Sequence, residues 1–596
     1  MKKTKRRLRC TIPVLFGFCL TLCLNLPPAH AKEPAFTGMV SAAHPLAAEA
    51  GRDILAQGGT AMDAAVAIQA VLGLVEPQSS GLAGGGFLLH YDAAQNWLTS
   101  WDGRETAPAQ ITPDVFVKNA GSIKGFIAAM TSAQAVGVPG IPALLEQAHG
   151  KFGKLDWASL FTPAIELARD GFAISPRLNA LVSRDPFLPR HAAPRDYFYL
   201  PESRNAETPG KPTPKPVGTI LKNPAYHATL TRLAEQGAAS FYQGETGRLI
   251  VSELKKNDAR SLLSQTDFAA YRMRERQPLC APYRGYKVCS MGPPSSGGIA
   301  LLQILGLLSP FDMRAEGASR LMSVHLFSEA VRLAFADRNH YVGDIDFVDV
   351  PVAALLDDAY LASRAKLISP DKAAQVFPPG APLGGKLKHK RAANVTLAQP
   401  STTHFTVLDR FGNAVSMTSS VESAFGSRLM VGGMMMNNQL TDFSFLPEKN
   451  GLAVANAVAP GKRPRSSMTP VMIFYPDGSL FAMLGSPGGP LIISYVAQTV
   501  VALIDWQLPM QAAIDLPRHA IGRHADGQFG VSLEAGTGLD SLAEDLRRMG
   551  HKVEQRRHHS GLHGIRLIFE KTANKTTNKK ADGGADPRRE GVVLTP

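Results

Sequence analysis

The chain has 596 residues, 45% of them hydrophobic and 19% charged, a globular composition that excludes a disordered or collagen-like protein. Its formal charge is +13, but six of the positive charges (Lys2, Lys3, Lys5, Arg6, Arg7 and Arg9) precede residue 10, and the remaining surplus is spread along the chain. With no run of interleaved basic and aromatic residues, nucleic acid is not an expected partner.

The first 31 residues read as a secretory signal: a basic start, an apolar run from Ile12 to Leu26, and a small-residue site at Ala29–Ala31. The apolar run is shorter than the ~20 residues needed to span a bilayer and ends at Pro27. The mature protein is therefore expected to begin at Lys32, in the periplasm or secreted, with no membrane attachment after signal removal. Cys10, Cys19 and Cys23 leave with the signal. The two remaining cysteines, Cys280 and Cys289, lie symmetrically about Arg284-Gly285, so a hairpin turning there would set them opposite each other. An oxidising compartment makes a structural disulfide plausible, worth roughly 2–3 kcal/mol.

Further along, Leu46, Ala47, Ala50, Ile54 and Leu55 recur at helical spacing and stop at Gly58-Gly59. Ala61, Ala64, Ala65, Ile68 and Val71 form a second apolar stripe ending before Pro77. Gly81–Gly86 followed by Phe87–Tyr91 reads as a tight turn entering a buried strand. Asp185–Pro216 reads as a surface excursion, Phe377–Pro400 as an exposed linker, and Lys571–Asp582 as a flexible insertion. The glycine and lysine spacing of Gly380–Lys386 imitates a phosphate loop, but Leu387 stands where a hydroxyl residue is needed. Neither a nucleophile elbow nor a His-Glu-x-x-His zinc pattern occurs, and two cysteines without clustered histidines make a poor metal site.

Ser401–Asp409 and Ala414–Val421 read as two β-branched strands joined by a turn near Phe411-Gly412, which sets Thr402 opposite residue 420 or 421. Hydroxyls on a strand are usually hairpin decoration. A threonine hydroxyl becomes a useful nucleophile only beside a base, and its own α-amine can serve if the Ser401–Thr402 bond is cut. An α-amine titrates near ~7.7–8.0 against ~10.4 for lysine, so it is the better base at neutral pH. The Pro/Gly-rich basic stretch ending at Pro400 is the kind of segment that could move away after such a cut.

Seven segments then run in order through the chain: Arg104–Pro108, Met291–Gly298, Ala336–Gly343, Ser401–Thr406, Asn437–Ser444, Lys462–Pro470 and Gly485–Gly489. Together they resemble the γ-glutamyltransferase (glutathione hydrolase) family. The resemblance implies an α/β N-terminal nucleophile hydrolase fold, a four-layer αββα sandwich. It implies self-cleavage into a large subunit, 32–401, and a small one, 402–596, with neither metal nor organic cofactor. Thr402 matches the family nucleophile, Ser420 a supporting hydroxyl, and Gly488 and Gly489 the pair whose N–H groups hold the oxyanion. Arg104, Ser466 and Ser467 match the clamp on the donor's α-carboxylate, while Glu422, Gln439 and Asp442 match the side that receives its α-amine.

Two departures bear on specificity. Many members carry Asn where this chain has Glu422, which makes the site more acidic. The stretch from Asp442 to Ser466 is shorter than in members with a lid loop and contains no tyrosine gate, which favours water or bulky substrates. The expected activity is hydrolysis and transfer of γ-glutamyl amides such as glutathione to water or to amino-acid and peptide acceptors. The rivals are a glutaryl- or cephalosporin-type acylase on the same fold and an unprocessed periplasmic binding protein.

Overall fold

A computed structural model describes residues 36–201, 212–382, 390–394, 401–524, 526–571 and 577–596. The expected signal segment therefore lies outside the described residues, as do residues 383–389 and 395–400 of the expected linker.

The first apolar stripe folds as helix α1 (Pro45–Ala56), with Pro45 at its first position and His44 capping the Leu46 N–H, and it stops before Gly58 at φ +86°. The second is α2 (Ala61–Val75), opened by a reciprocal Thr60/Asp63 capping box. Every residue of α2 is buried, the condition for a helix apolar all round. It lies under a sheet built from seven antiparallel strands.

Those strands are β1 (Met39–Ala42), β2 (Gly85–Asp92), β3 (Trp97–Gly103), β4 (Arg274–Arg276), β7 (Thr403–Leu408), β8 (Ala414–Ser420) and β13 (Val592–Leu594), in spatial order β13-β1-β7-β8-β2-β3-β4. The second sheet contains β5 (Leu279–Tyr283), β6 (Tyr286–Ser290), β9 (Val471–Phe474), β10 (Leu480–Gly485), β11 (His563–Lys571) and β12 (Thr577–Ala585), ordered β12-β11-β10-β9-β6-β5.

Period-two alternation decides which layer each strand residue serves. On β7 and β8, Phe405, Val407, Val415 and Met417 pack toward α1 and α2, while Leu408 and Ala414 join Met472, Phe474, Met483 and Ile565 between the sheets. On the far side Val471, Ile473, Ala482 and Leu484 pack against helices α3 (Gly297–Leu308), α4 (Leu321–Tyr341) and α5 (Ile492–Ile504). The result is the expected αββα arrangement, with three apolar layers between four layers of structure.

The β5–β6 hairpin turns at Arg284 (φ +50°) and Gly285 (φ +86°), a pair of left-handed residues that suits a two-residue connection. Cys280 faces Cys289 in its register and the two are joined by a disulfide, as their symmetry in the sequence anticipates. No helix among the described residues is long and apolar enough to cross a membrane.

Three readings of loops require correction. Lys571 ends β11 and Thr577–Asp582 belongs to β12, which pairs with it, so the described part of the expected flexible insertion is strand, while residues 572–576 lie outside the described residues; polar side chains do not prevent pairing where backbone hydrogen bonds carry it. Within Asp185–Pro216, a helical turn at Ala192–Phe198 buries Phe198 against Phe425, and Asp185 accepts from Arg428 at 3.0 Å. In the expected linker, Gly380 donates to Asp337 at 2.8 Å and Ala392 pairs with Val454, so these parts are anchored to the body of the protein.

Candidate functional site

Strands β7 and β8 pair Thr403 with Ser419, and one step further this register sets Thr402 opposite Ser420. The chain is continuous here, and two hydroxyls converge on one carbonyl oxygen. Ser420 Oγ donates to the Ser401 carbonyl oxygen at 3.0 Å, and Thr402 Oγ1 approaches the same oxygen while standing 3.3 Å from Ser420 Oγ. The Glu422 N–H donates to Ser420 Oγ at 2.9 Å and fixes that hydroxyl from behind. Thr402 is 3% exposed, and its own carbonyl oxygen accepts from Arg589 at 2.9 Å.

A small cleft opens beside this pair. It is lined by Arg104, Thr402, Ser420, Glu422, Gln439, Asp442, Ser466, Ser467 and Gly489, together with Ser401, Met468 and Ile492. Ten of the eleven residues singled out from the sequence thus meet in one place, although they run from Arg104 to Gly489 along the chain. Gly488 stands one residue behind the lining. Its φ is +136° and that of Gly489 is +58°, and a Cβ at Gly488 would lie 2.8 Å from the Tyr495 ring. Glycine is required there both by the backbone and by the space. The turn runs directly into α5, so its N–H groups share the positive end of a helix.

Arg104 and Asp442, assigned to opposite ends of a donor molecule, are paired with each other. Arg104 Nη2 donates to Asp442 Oδ2 at 2.5 Å, and its Nε donates to the Pro464 carbonyl at 3.1 Å. Gln439 Nε2 donates to the same Asp442 oxygen at 2.7 Å, while Gln439 Oε1 has no partner among the described residues. That oxygen is an acceptor suited to an ammonium group. Glu422 sits at φ +83° and accepts from Asn438 Nδ2 at 2.6 Å, so a strained backbone and a buried amide hold the carboxylate in the cleft.

Ser466 and Ser467 are reached by a layer that the sequence reading quoted but gave no role. Arg338 on α4 donates through Nε to Ser296 Oγ at 2.8 Å and through Nη2 to Ser467 Oγ at 2.7 Å. Ser296 Oγ in turn donates to the Ser466 carbonyl at 2.6 Å. Burial pulls the Arg338 guanidinium down to about 10, still charged at neutral pH. Both residues lie inside the quoted segments Ala336–Gly343 and Met291–Gly298, which was the available signal. Arg589 had none, because it lies far along the chain in an unremarked polar stretch.

Glu105 is fully buried next to the cleft, 3.7 Å from Arg104, and burial pushes its carboxyl up to about 8. Between Asp442 and Ser466, Glu448–Lys449 and Leu452–Ala453 form a small exposed ribbon turning at Asn450-Gly451. Among the described residues no group of three or more His, Cys, Asp or Glu is placed to hold a metal ion. Chemically, the cleft offers two hydroxyls close together, a glycine turn with backbone N–H groups, and charges of both signs within one small volume.

The family model for gamma-glutamyltranspeptidase matches residues 47–595. The glutathione hydrolase proenzyme of Bacillus subtilis (strain 168) is 37% identical over 523 residues, covering 86% of this chain and 85% of that protein. The acylase ACY 1 proenzyme of Pseudomonas sp. (strain V22) is 34% identical over 577 residues, covering 93% and 94%. The crystal structure of cephalosporin acylase from Bacillus halodurans matches with a TM-score of 0.77 at 28% identity, over 94% of this chain and 95% of that one.

Proposed function

The chain belongs to the gamma-glutamyltranspeptidase family and has the fold of the N-terminal nucleophile hydrolases, and from that premise we propose that it is a secreted, periplasmic enzyme that cuts itself at Ser401–Thr402 and then hydrolyses or transfers γ-glutamyl groups. The observation that carries this reading is the convergence of Thr402 Oγ1 and Ser420 Oγ on the Ser401 carbonyl, at the edge of a cleft with paired charges.

In the first reaction Thr402 Oγ1 attacks the Ser401 carbonyl carbon, the C–N bond breaks, and its nitrogen takes the proton to become the Thr402 amine. Water then hydrolyses the resulting ester and leaves a Ser401 carboxylate. In the second, the Thr402 amine accepts the proton from Oγ1 as that oxygen attacks the γ-carbonyl of a donor. The N–H groups of Gly488 and Gly489 receive the oxyanion, and removing such a donor costs ~3–4 kcal/mol in known cases. The ammonium returns its proton to the departing nitrogen, and water or an amine releases the acyl group by the reverse sequence.

The donor's end groups meet an existing ion pair. An α-carboxylate replaces Asp442 at Arg104, assisted by Ser466 and Ser467, while the released Asp442 carboxylate, Gln439 Oε1 and Glu422 receive the α-ammonium. Exchange of partners keeps each buried charge compensated, which an empty pocket with unpaired charges would not.

The acylase relatives and the absence of a tyrosine in the Asp442–Ser466 stretch favour one second reading, removal of glutaryl-type side chains. Rates on γ-glutamyl-anilide and glutaryl-anilide decide between the two. Incubation of the purified precursor should yield fragments of roughly two-thirds and one-third of the processed mass, the smaller beginning at Thr402. Thr402→Ala should abolish both cleavage and turnover, and Thr402→Ser should retain some of each; a single stable, fully active band would refute the proposal.

A further inference from the structure

Arg589 reaches Thr402 without lining the donor cleft. Its Nη1 donates to the Thr402 carbonyl oxygen at 2.9 Å and its Nη2 to the His559 carbonyl at 3.4 Å, and Nε has no partner among the described residues. The fold holds it there. Its N–H donates to the Asp586 carbonyl, Asp586 is bonded to Ser560 and Leu562, and β13 just beyond pairs with β1, the neighbour of β7. Gly561 opens the passage, since a Cβ there would lie 2.6 Å from Arg589 Cδ.

The hydrogen-bond partners of this guanidinium are carbonyl oxygens, and it makes no ion pair within 4 Å among the described residues. The carboxylates that act on it from a distance, Glu76 and Asp586, have closer donors of their own: Glu76 accepts from Thr403 Oγ1 and from Arg177 at 3.1 Å each, and Asp586 from Arg588 at 3.1 Å; around them Glu590 accepts from the Arg177 N–H at 2.9 Å, and in the cleft Glu422 accepts from Asn438 and Asp442 from Arg104. The neighbouring histidines His559 and His563, and His44 beside Glu76 and Glu590, are all pulled down by burial and are mostly neutral at pH 7. Arg589 itself is lowered to about 9 by burial, which leaves it protonated at neutral pH.

We propose that Arg589 is a positioning residue for acyl transfer, orienting Thr402 through its carbonyl oxygen and, by the positive charge it brings to that oxygen, disfavouring protonation of the α-amine of the same residue. The inference rests on Thr402 being the N-terminal nucleophile. A residue's carbonyl oxygen and α-nitrogen are only about 3 Å apart, so the guanidinium lies within about 6 Å of the amine, the range in which a like charge lowers an ammonium's pKa. The base that takes the Oγ1 proton is then more often free when substrate arrives.

The direct test uses the processed wild-type protein: reductive methylation of the Thr402 amine across pH, read by mass spectrometry of the small fragment's first peptide. The expected midpoint is about one unit below the ~7.7–8.0 of an ordinary α-amine. A midpoint in or above that range overturns the proposal. In parallel, Arg589→Gln should move the acidic limb of kcat/KM up by about one pH unit, a loss of free base of about four- to sixfold at pH 7, while Arg589→Lys keeps the limb in place. Equal loss of kcat in both variants with an unmoved limb would reduce Arg589 to a structural contact and overturn the proposal as well. Should Arg589→Gln fail to fold, a wild-type midpoint in or above the ordinary range still overturns the proposal, and the limb of Arg589→Lys, unmoved as expected or shifted upward, tests the charge separately from the burial of Thr402. A small fragment beginning elsewhere than Thr402 would instead remove the nucleophile assignment itself.

Discussion

Asp442→Asn removes a charge while keeping the shape. The carboxylate it replaces is 12% exposed and bonds a guanidinium that is 1% exposed at 2.5 Å. Deleting one partner of a buried pair costs about 3–5 kcal/mol, mostly because the other charge is left alone. Here Glu105 offsets part of that cost. It lies 3.7 Å from Arg104, and the Asp442 charge is one of the causes holding its carboxyl up at about 8, behind the larger effect of burial. Without Asp442 it ionises more readily and becomes the counter-ion, so the expected loss of stability is nearer about 2–3 kcal/mol. For the donor, one charge-assisted hydrogen bond to the α-ammonium is lost, about 1.5–3 kcal/mol, or about 10- to 150-fold in kcat/KM. Glutaryl-anilide has no ammonium and should lose little. Urea unfolding measures the first quantity, and the ratio of kcat/KM for γ-glutamyl-anilide over glutaryl-anilide measures the second. A ratio unchanged from wild type would refute the role given to Asp442.

Gly488→Ala should lower kcat by about 100-fold or more, with donor KM little changed, because the added Cβ meets the Tyr495 ring and turns an oxyanion donor away; steady-state kinetics of the processed variant checks this. The Glu105 carboxyl is raised above its unfolded value, so between about pH 4.5 and its folded value of about 8 the folded state binds the extra proton and stability falls as pH rises. Glu105→Gln should remove that slope, and its advantage over wild type in unfolding experiments should grow from pH 5 to pH 8. Replacing both Cys280 and Cys289 by Ala should cost about 2–3 kcal/mol of unfolding free energy on loop entropy, with kcat/KM retained, since the hairpin lies away from the cleft residues.

Local chemistry made much of this protein legible in one dimension. The apolar stripe of α2, the Arg284-Gly285 turn that sets Cys280 against Cys289, and the β7–β8 hairpin that sets Thr402 opposite Ser420 each depend on residues close in sequence. Periodicity and turn geometry act over such distances, so they could be read directly. Thr577–Asp582 misled for the same reason: its residues are mostly polar, but its pairing with β11 is a backbone property that composition does not report.

The tertiary structure decided what depends on contacts between distant residues. Arg104 and Asp442 are separated by 338 positions, and that they neutralise each other at 2.5 Å could not be inferred from either motif. Arg338 behind the two serines and Arg589 on the Thr402 carbonyl are likewise products of packing. Which chemistry this chain can perform is written in residue types at short spacing; how its charges are shared is set only when sheets and helices close around them, because Coulomb interactions and desolvation depend on distance through space and not along the chain.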